Sequence, residues 1–161
     1  MFIGHGSYAV EHDQSIIVFV AQGAWNLEAS KSAIELISLY VDAMSATNFA
    51  IIANTRQVEG ITPDSFKVWL SAVRKWLHQG HTTLARVDEP RSAYYKIFLS
   101  KFDEFARAHQ QFQLLDSMDE AFSWLHQLGF KGFENGLPAL KFFDGLDINK
   151  GRATSFSNQR R

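Results

Sequence analysis

Three polar residues at the start of a predicted helix are the residues of this sequence best placed to bind a ligand or a partner. Thr62, Asp64 and Ser65 follow an apolar run, Phe49–Ala53, and a polar loop, and they precede an amphipathic segment. A helix N-terminus that follows a strand presents free backbone N–H groups to ligands, phosphates or partners. Side chains of these types also cap helices, and Pro63 suits the first helical position. The residues therefore predict a capped helix start that is open to contact.

The other polar clusters do not assemble a catalytic set. His78 and His81 are three residues apart, with a helix-breaking glycine between them, whereas a zinc site needs three or four ligands. We expect these two histidines at an exposed helix end. Asp88 and Glu89 are predicted to stabilise a helix start rather than to do acid–base work. The chain has no cysteine and no recognisable nucleophile with a base and an orienting group, so we predict no enzyme, no metal site and no cofactor.

Composition limits the classes of partner and location. The 161 residues carry a net charge of −1, which gives no reason to expect nucleic acid as a partner. No apolar run approaches the roughly 20 residues that span a bilayer. The first residues have neither the basic region nor the long apolar segment of a signal peptide, so we predict a cytoplasmic protein that is not transmembrane.

Charge divides the chain into a predicted domain, residues 1–130, and a C-terminal appendage with a basic tail, residues 131–161. The appendage holds six Lys and Arg against three acids, a charge of +3, which leaves −4 for the rest. The tail has two open interpretations: a solvated segment, or an arm that docks on a protein or nucleic acid. Within the appendage, Leu137–Leu146 is predicted to form a short helix.

Apolar periodicity predicts an α/β fold in the order β-β-α-β-α-β-α-β-α. An opening hairpin followed by alternating strands and helices implies a mixed, largely parallel sheet of about five strands with about four helices. The predicted strands are Ser7–His12, Ser15–Ala24, Phe49–Ala53, Thr82–Val87 and Gln111–Leu115, and the predicted helices start near Asn26, Thr62, Pro90 and Ser117.

Aromatic residues on the second and third predicted helices exceed what one sheet of short strands readily covers. Most are expected in the core, but some are expected to line a ligand pocket or an interface. Trp76 and Tyr94 are predicted to be the partly exposed members of this group. The pair Phe142 and Phe143 in the appendage also needs cover, either from the same subunit or from a second one, and the second case predicts a homodimer.

Residues in four short segments, together with the order of elements, resemble the STAS-like family, which has the fold of anti-sigma-factor antagonists. The resemblance includes its SpoIIAA-like or STAS/Sec14-like branch, and the expected relatives are uncharacterised bacterial proteins. The likeness covers about Ser7 to Leu128. It implies a non-enzymatic regulatory module that binds a protein partner; for the Sec14-like branch, the alternative is a protein that binds an apolar small molecule or lipid. The segments that carry the resemblance are Gly23–Asn26, Phe49–Thr55, Thr62-Pro63 and Asp119–Leu125.

The resemblance also raises the question of phosphorylation. In phospho-regulated members, a serine after an aspartate at the start of the second helix, in a D-S-x-G-L pattern, is modified. Asp64-Ser65 matches that pair, but Lys67 stands in place of the glycine and Asn54 in place of the aspartate that usually ends the preceding strand. Counted from that strand, Asp64 itself falls near the phosphoacceptor position. We therefore predict a module that works by contact and is not phospho-switched.

Overall fold

The computed structural model describes residues 6–44 and 47–144. None of the helices in these two ranges is both long enough and apolar enough to cross a bilayer. The elements are β1 (Ser7–Asp13), β2 (Ile16–Trp25), α1 (Leu27–Ala43), β3 (Phe49–Ile61), α2 (Pro63–His78), β4 (His81–Val87), a π-helical turn (Tyr95–Leu99), α3 (Ser100–His109), β5 (Gln111–Leu115), α4 (Met118–Gln127) and β6 (Phe143–Asp144).

The strands form one six-stranded sheet in the order β5-β4-β3-β2-β1-β6. The strand β1 is antiparallel to both of its neighbours, whereas the pairs from β2 to β5 are parallel. The hairpin between β1 and β2 turns at Gln14, which has a φ of 49°. The predicted mixed α/β sheet with four helices is therefore confirmed, and β6 adds a strand to the expected five.

The central strands are apolar on both faces, as expected when helices cover both sides of a sheet. Ile17 and Phe19 of β2 pack in the cluster that faces α1, α2 and α3. Ile16 and Val18, their neighbours in sequence, face α4 and pack near Phe122. Because successive side chains of a strand point to opposite faces, α4 packs on one face of the sheet and α1, α2 and α3 pack on the other.

The strand β3 is longer than predicted. The sequence indicates a strand that ends at Ala53 and a polar loop after it, but backbone pairing continues to Ile61. The reason is the length of β2, whose last residues offer partners for the polar segment, with Trp25 opposite Ile61. The register shifts twice along this stretch, after Val20 and after Gly23, which is typical of β-bulges.

The predicted helix at Leu137–Leu146 is wrong for the residues that the structure describes. Residues 137–142 are not helical, and Phe143 pairs with Tyr8 of β1. The two rings meet edge to face with centroids 5.9 Å apart, so the apolar side chain gains a partner in the sheet without forming a helix. The rest of that segment and the end of the basic tail lie outside the described residues.

The start of the predicted appendage is bonded to the β1–β2 turn. The backbone N–H of Ser15 donates to the carbonyl of Lys131 at 2.9 Å. The N–H of Phe133 donates to the carboxylate of Asp13 at 2.8 Å. Phe133 is also buried against Phe122 of α4, so this segment continues the core on that face.

Two of the predicted helix caps are confirmed, and one helix start is displaced. The side chain of Asn26 accepts from the backbone N–H of Ala29 at 2.9 Å, and Ser117 accepts from the N–H of Glu120 at 3.2 Å. The third predicted cap, Thr62, holds the N-cap position of α2, but its side chain makes no capping hydrogen bond. The helix predicted to open at Pro90 enters instead through the π-helical turn that precedes α3. Single π turns inside helices frequently lie at functional sites.

Candidate functional site

A cavity of about 80 Å³ lies between the sheet and the helices α2 and α3. Most of the side chains around it are apolar, and many are aromatic. The polar lining residues are Thr55, His81 and Arg86, with Tyr94 contributing a phenol. Its aromatic wall consists of Phe19, Trp25, Phe66, Trp69, Trp76, Tyr94 and Phe102.

The sequence leaves this space open because large rings on the helices lie opposite small residues on the sheet. Ala21 of β2 and Ala53 of β3 both line the cavity. The rings support one another, with the centroids of Phe19 and Trp69 5.2 Å apart and those of Trp69 and Trp76 6.4 Å apart. Rigid rings that pack on each other cannot collapse into the space above two alanines, so the gap persists.

The indole N–H groups of the cavity wall are already bonded within the protein. Trp69 donates to the hydroxyl of Ser30 at 2.9 Å, and Trp76 donates to the hydroxyl of Ser38 at 3.1 Å. Both acceptors lie on α1. The polar edges of the two rings are therefore held against α1, and the indoles offer apolar surface to the cavity.

The cavity meets the surface beside the start of α2. Its half-buried lining residues lie at the end of β3, on the first turns of α2 and just before the π-helical turn, and they are Ile61, Phe66, Trp69 and Tyr94. The predicted contact residues Thr62 and Asp64 are adjacent to this mouth in sequence. Tyr94 and the predicted contact residues thus lie near one edge of the domain, whereas Trp76 lines the buried part of the cavity.

Trp76 and Tyr94, predicted as pocket or interface aromatics, both line the cavity. The expectation that Trp76 is partly exposed is wrong, because only 2% of it is accessible. Packing of α2 against α1 covers its ring, and the bond to Ser38 holds it there. Tyr94 is half-buried, as expected.

A buried ion pair forms the polar end of the cavity. Arg86 of β4 donates from Nε at 3.1 Å and from Nη2 at 2.9 Å to the same carboxylate oxygen of Asp103 on α3. The other oxygen accepts from the hydroxyl of Tyr95 at 2.5 Å. Burial is the largest single influence and would lower the pKa of Arg86, but the charge and hydrogen bonds of Asp103, together with the charge of Asp88, outweigh it and the pKa is raised. Arg86 is therefore a permanent cation that ties β4 to α3.

Asp88, which follows β4, belongs to the same polar end. Its carboxylate accepts from the hydroxyl of Thr55 at 2.5 Å and from the backbone N–H of Glu89 at 2.7 Å. The bond to Thr55 ties the end of β4 to β3. The sequence predicted Asp88 as a carboxylate at a helix start, but it is a buried residue with 2% exposure. Its charge also acts on Arg86 and on Tyr94.

His81 is not at an exposed helix end, as the sequence predicted, but is fully buried at the start of β4. Its Nε2 lies 3.1 Å from the carbonyl of Thr83, and its Nδ1 lies 3.2 Å from the side-chain nitrogen of Gln110. Burial lowers the pKa of His81 to about 3, so the ring is neutral and donates from Nε2. Among the described residues, no cluster of His, Asp and Glu is arranged to hold a metal ion.

The three predicted residues at the start of α2 form a closed hydrogen-bond group. The hydroxyl of Thr62 donates to Asp64 Oδ1 at 2.5 Å, and the Ser65 backbone N–H donates to the same oxygen at 2.9 Å. The Ser65 hydroxyl lies 2.7 Å from the hydroxyl of Thr62. The bond from Thr62 is the main cause that lowers the pKa of the exposed Asp64. Asp64 thus presents a fixed negative charge, whereas Ser65 is completely buried.

The ion pair between Arg86 and Asp103 was not among the features predicted from the sequence. A signal for it was present, because an arginine interrupts the apolar strand Thr82–Val87 and an aspartate lies among the aromatic positions of the third helix. Charged residues are almost never fully buried unless they are paired. Two opposite charges at predicted core positions therefore indicate a buried pair.

Comparison with protein-family profiles and with curated proteins finds no match to this chain. Solved structures do match its fold. An uncharacterised protein of the DUF3478 family with a SpoIIAA-like fold, from Shewanella loihica, superposes with a TM-score of 0.59 at 12% identity, over 78% of this chain and 97% of its own.

Two anti-sigma factor antagonists match over similar lengths. The protein from Mycobacterium paratuberculosis has a TM-score of 0.53 at 16% identity, over 76% of this chain and 95% of its own. SpoIIAA in its unphosphorylated form has a TM-score of 0.52 at 16% identity, over 74% of this chain and 96% of its own. The chain therefore has the SpoIIAA-like fold that its sequence resembles, and at these identities the likeness concerns the fold.

Proposed function

We propose that this protein, whose fold is SpoIIAA-like, is a non-enzymatic module that binds one small, largely apolar molecule in the cavity between its sheet and α2. The observation that carries the proposal is the aromatic cavity itself, which reaches the surface beside Trp69 and Tyr94. Ligand pockets are concave and mostly apolar, with a few convergent polar groups, and this cavity has that composition. One of these polar groups, the guanidinium of Arg86, is paired with Asp103, and this ion pair also ties β4 to α3.

The size of the cavity favours a compact ligand over a lipid. A water molecule needs roughly 10–15 Å³ of such space, so about 80 Å³ holds roughly six molecules of that size. This is smaller than the roughly 150 Å³ apolar cavity that holds benzene, so a single ring would fit only with part of the molecule at the open mouth beside Trp69 and Tyr94, and a full acyl chain exceeds the space. Binding would restore the dispersion contacts that the lining atoms lack while the space is open.

Thermal unfolding with a panel of monocyclic compounds tests the cavity. A compound at ten times its Kd is expected to raise the Tm by roughly 3–6 °C. Ala53→Leu, which places a larger side chain in the cavity, is expected to abolish the shift. The control variant is Leu39→Ala, which changes an exposed residue outside the cavity lining and should leave the rise in Tm unchanged.

Two outcomes of that experiment would contradict the proposal. The first is a panel in which no compound raises the Tm of the unmodified protein. The second is an equal rise in Ala53→Leu, which would place the binding elsewhere. Native mass spectrometry of protein taken directly from cell extract adds a direct reading, since a retained molecule appears as added mass.

A second function, contact with a protein partner at the start of α2, is favoured by Asp64. Its exposed, permanently charged carboxylate stands at the edge of a fold that two proteins described as anti-sigma factor antagonists share. Four further points stay predictions: the regulatory role, the cytoplasmic location, the homodimer and the two-part division of the chain. The burial of Ser65 supports a contact that does not depend on its phosphorylation.

Reversal of the Asp64 charge tests this second function. A protein captured from cell extract by the unmodified chain should be lost with Asp64→Lys. Asp119, an exposed acid in the first turn of α4, provides the matched control, and Asp119→Lys should retain the same protein. Equal capture by all three proteins would remove the start of α2 from the interface.

A further inference from the structure

Arg86 has hydrogen-bond donors that the protein does not use. A guanidinium carries five N–H groups, and the bonds to Asp103 take one from Nε and one from Nη2. Among the described residues, no group accepts a hydrogen bond from Nη1. Arg86 is only 4% exposed and lines the cavity, so these donors lie next to the space that a ligand would fill. A donor that faces the cavity bonds water or an acceptor there, so a ligand that displaces this water needs an oxygen atom at that point.

Tyr94 adds a second donor at the same end of the cavity. Its ring lines the cavity, and its hydroxyl has no hydrogen-bond partner within residues 6–44 and 47–144. Burial is the largest cause that raises the pKa of Tyr94, and the charges of Arg86, Asp88 and Asp103 also act on it. The phenol therefore lies close to the ion pair and keeps its proton at neutral pH. The unused N–H groups of Arg86 and the O–H group of Tyr94 thus lie in one region of the cavity wall.

The charges around these donors determine what kind of acceptor fits. Asp103 already compensates the charge of Arg86, and Asp88 contributes a second buried carboxylate. One cation therefore lines the cavity, and two carboxylates lie directly behind it, bonded to the lining residues Arg86 and Thr55. An anionic ligand would meet net repulsion and would lose its hydration in an apolar space. An uncharged acceptor avoids both costs and still satisfies the donors.

We propose that the cavity recognises a compact, uncharged molecule with one acceptor oxygen of the carbonyl type, which accepts from Arg86 Nη1 and from the Tyr94 hydroxyl. The aromatic wall holds the apolar body of the ligand, and the two donors fix its orientation. This inference rests on the proposed function, and it specifies the chemistry of the ligand.

Four probes of matched shape separate the alternatives. Acetophenone, α-methylstyrene, benzoate and benzamidine share a planar ring with a planar branched substituent, and they differ in that group: carbonyl, alkene, anion and cation. We expect acetophenone to bind at least roughly tenfold more tightly than α-methylstyrene, the effect of one hydrogen bond to a charged donor. Benzoate and benzamidine should bind more weakly than acetophenone. Isothermal titration calorimetry at constant pH measures all four.

Each result has a definite meaning. Equal affinity for acetophenone and α-methylstyrene would overturn the role of Arg86 and Tyr94 and leave an apolar cavity. Tightest binding of benzoate would overturn the argument from charge. Failure of all four probes to bind would overturn the proposed function together with this inference.

Tyr94→Phe tests the assignment on the protein side. It keeps the ring in the cavity wall, so affinity for α-methylstyrene should not change, while the preference for acetophenone should fall severalfold. Tyr40, a half-buried tyrosine of α1 that stacks on His12 away from the cavity, provides the control Tyr40→Phe, which should keep the full preference. An unchanged preference in Tyr94→Phe would exclude its hydroxyl from recognition.

Discussion

Asp103→Ala is expected to lower the free energy of unfolding by about 3–5 kcal/mol, because it leaves the cation of Arg86 buried without its partner. The carboxylate of Asp103 accepts from Nε and Nη2 of Arg86 and from the hydroxyl of Tyr95, and no part of it is exposed. Its removal therefore breaks three hydrogen bonds at the junction of β4, the π-helical turn and α3. Denaturant unfolding followed by circular dichroism measures the loss.

The control removes both charges at once. In Arg86→Met with Asp103→Leu, no unpaired charge stays in the core, so most of the lost stability should return. A single variant that loses less than about 1 kcal/mol would mean that water reaches Arg86, contrary to its 4% exposure. A double variant as unstable as the single one would show that the shape of the pair matters more than its charge.

Trp76→Ala is expected to cost about 3–5 kcal/mol, since the ring is almost completely buried and borders an existing cavity. The alanine enlarges that cavity by the volume of an indole. Added indole should then bind in the space and raise the Tm of the variant, as small apolar molecules do in engineered cavities. Differential scanning fluorimetry with and without indole measures this rescue.

Trp124 of α4 provides the matched tryptophan on the opposite face of the sheet, where it packs against the second core cluster. Trp124→Ala should be less destabilising because the residue is only half-buried, and indole should not rescue it. Rescue of both variants to the same degree would indicate general binding of indole to the protein. No rescue of Trp76→Ala would indicate that α2 collapses onto the sheet.

Local patterns in the sequence predicted the order of elements because they depend on neighbouring residues. The run Ser15–Ala24 is β-branched and apolar, and Asn26 after it is a cap whose side chain bonds Ala29 as expected. The prediction that β3 ends at Ala53 was wrong because the length of this strand depends on residues distant in the sequence. Nothing within the polar segment from Asn54 to Ile61 indicates a strand, since its extension depends on the partner residues that β2 provides.

The sequence by itself determined the mixed α/β sheet, its four helices and the resemblance to the SpoIIAA-like fold. It also placed Thr62, Asp64 and Ser65 at a helix start, because capping and helical periodicity act over a few residues. It did not determine which of them is exposed. That depends on the packing of α2 in the fold, which buries Ser65 and leaves Asp64 at the surface.

Only the tertiary structure decided that a cavity exists and what lines it. Arg86 and Asp103 are 17 residues apart, and Trp69 meets Ser30 across 39 residues. These contacts form because helices cross the sheet and bring distant side chains together, and no local pattern encodes the space that their shapes leave open. The same physical reason explains why His81, which the sequence predicted at an exposed helix end, is the first residue of β4 and is buried and neutral.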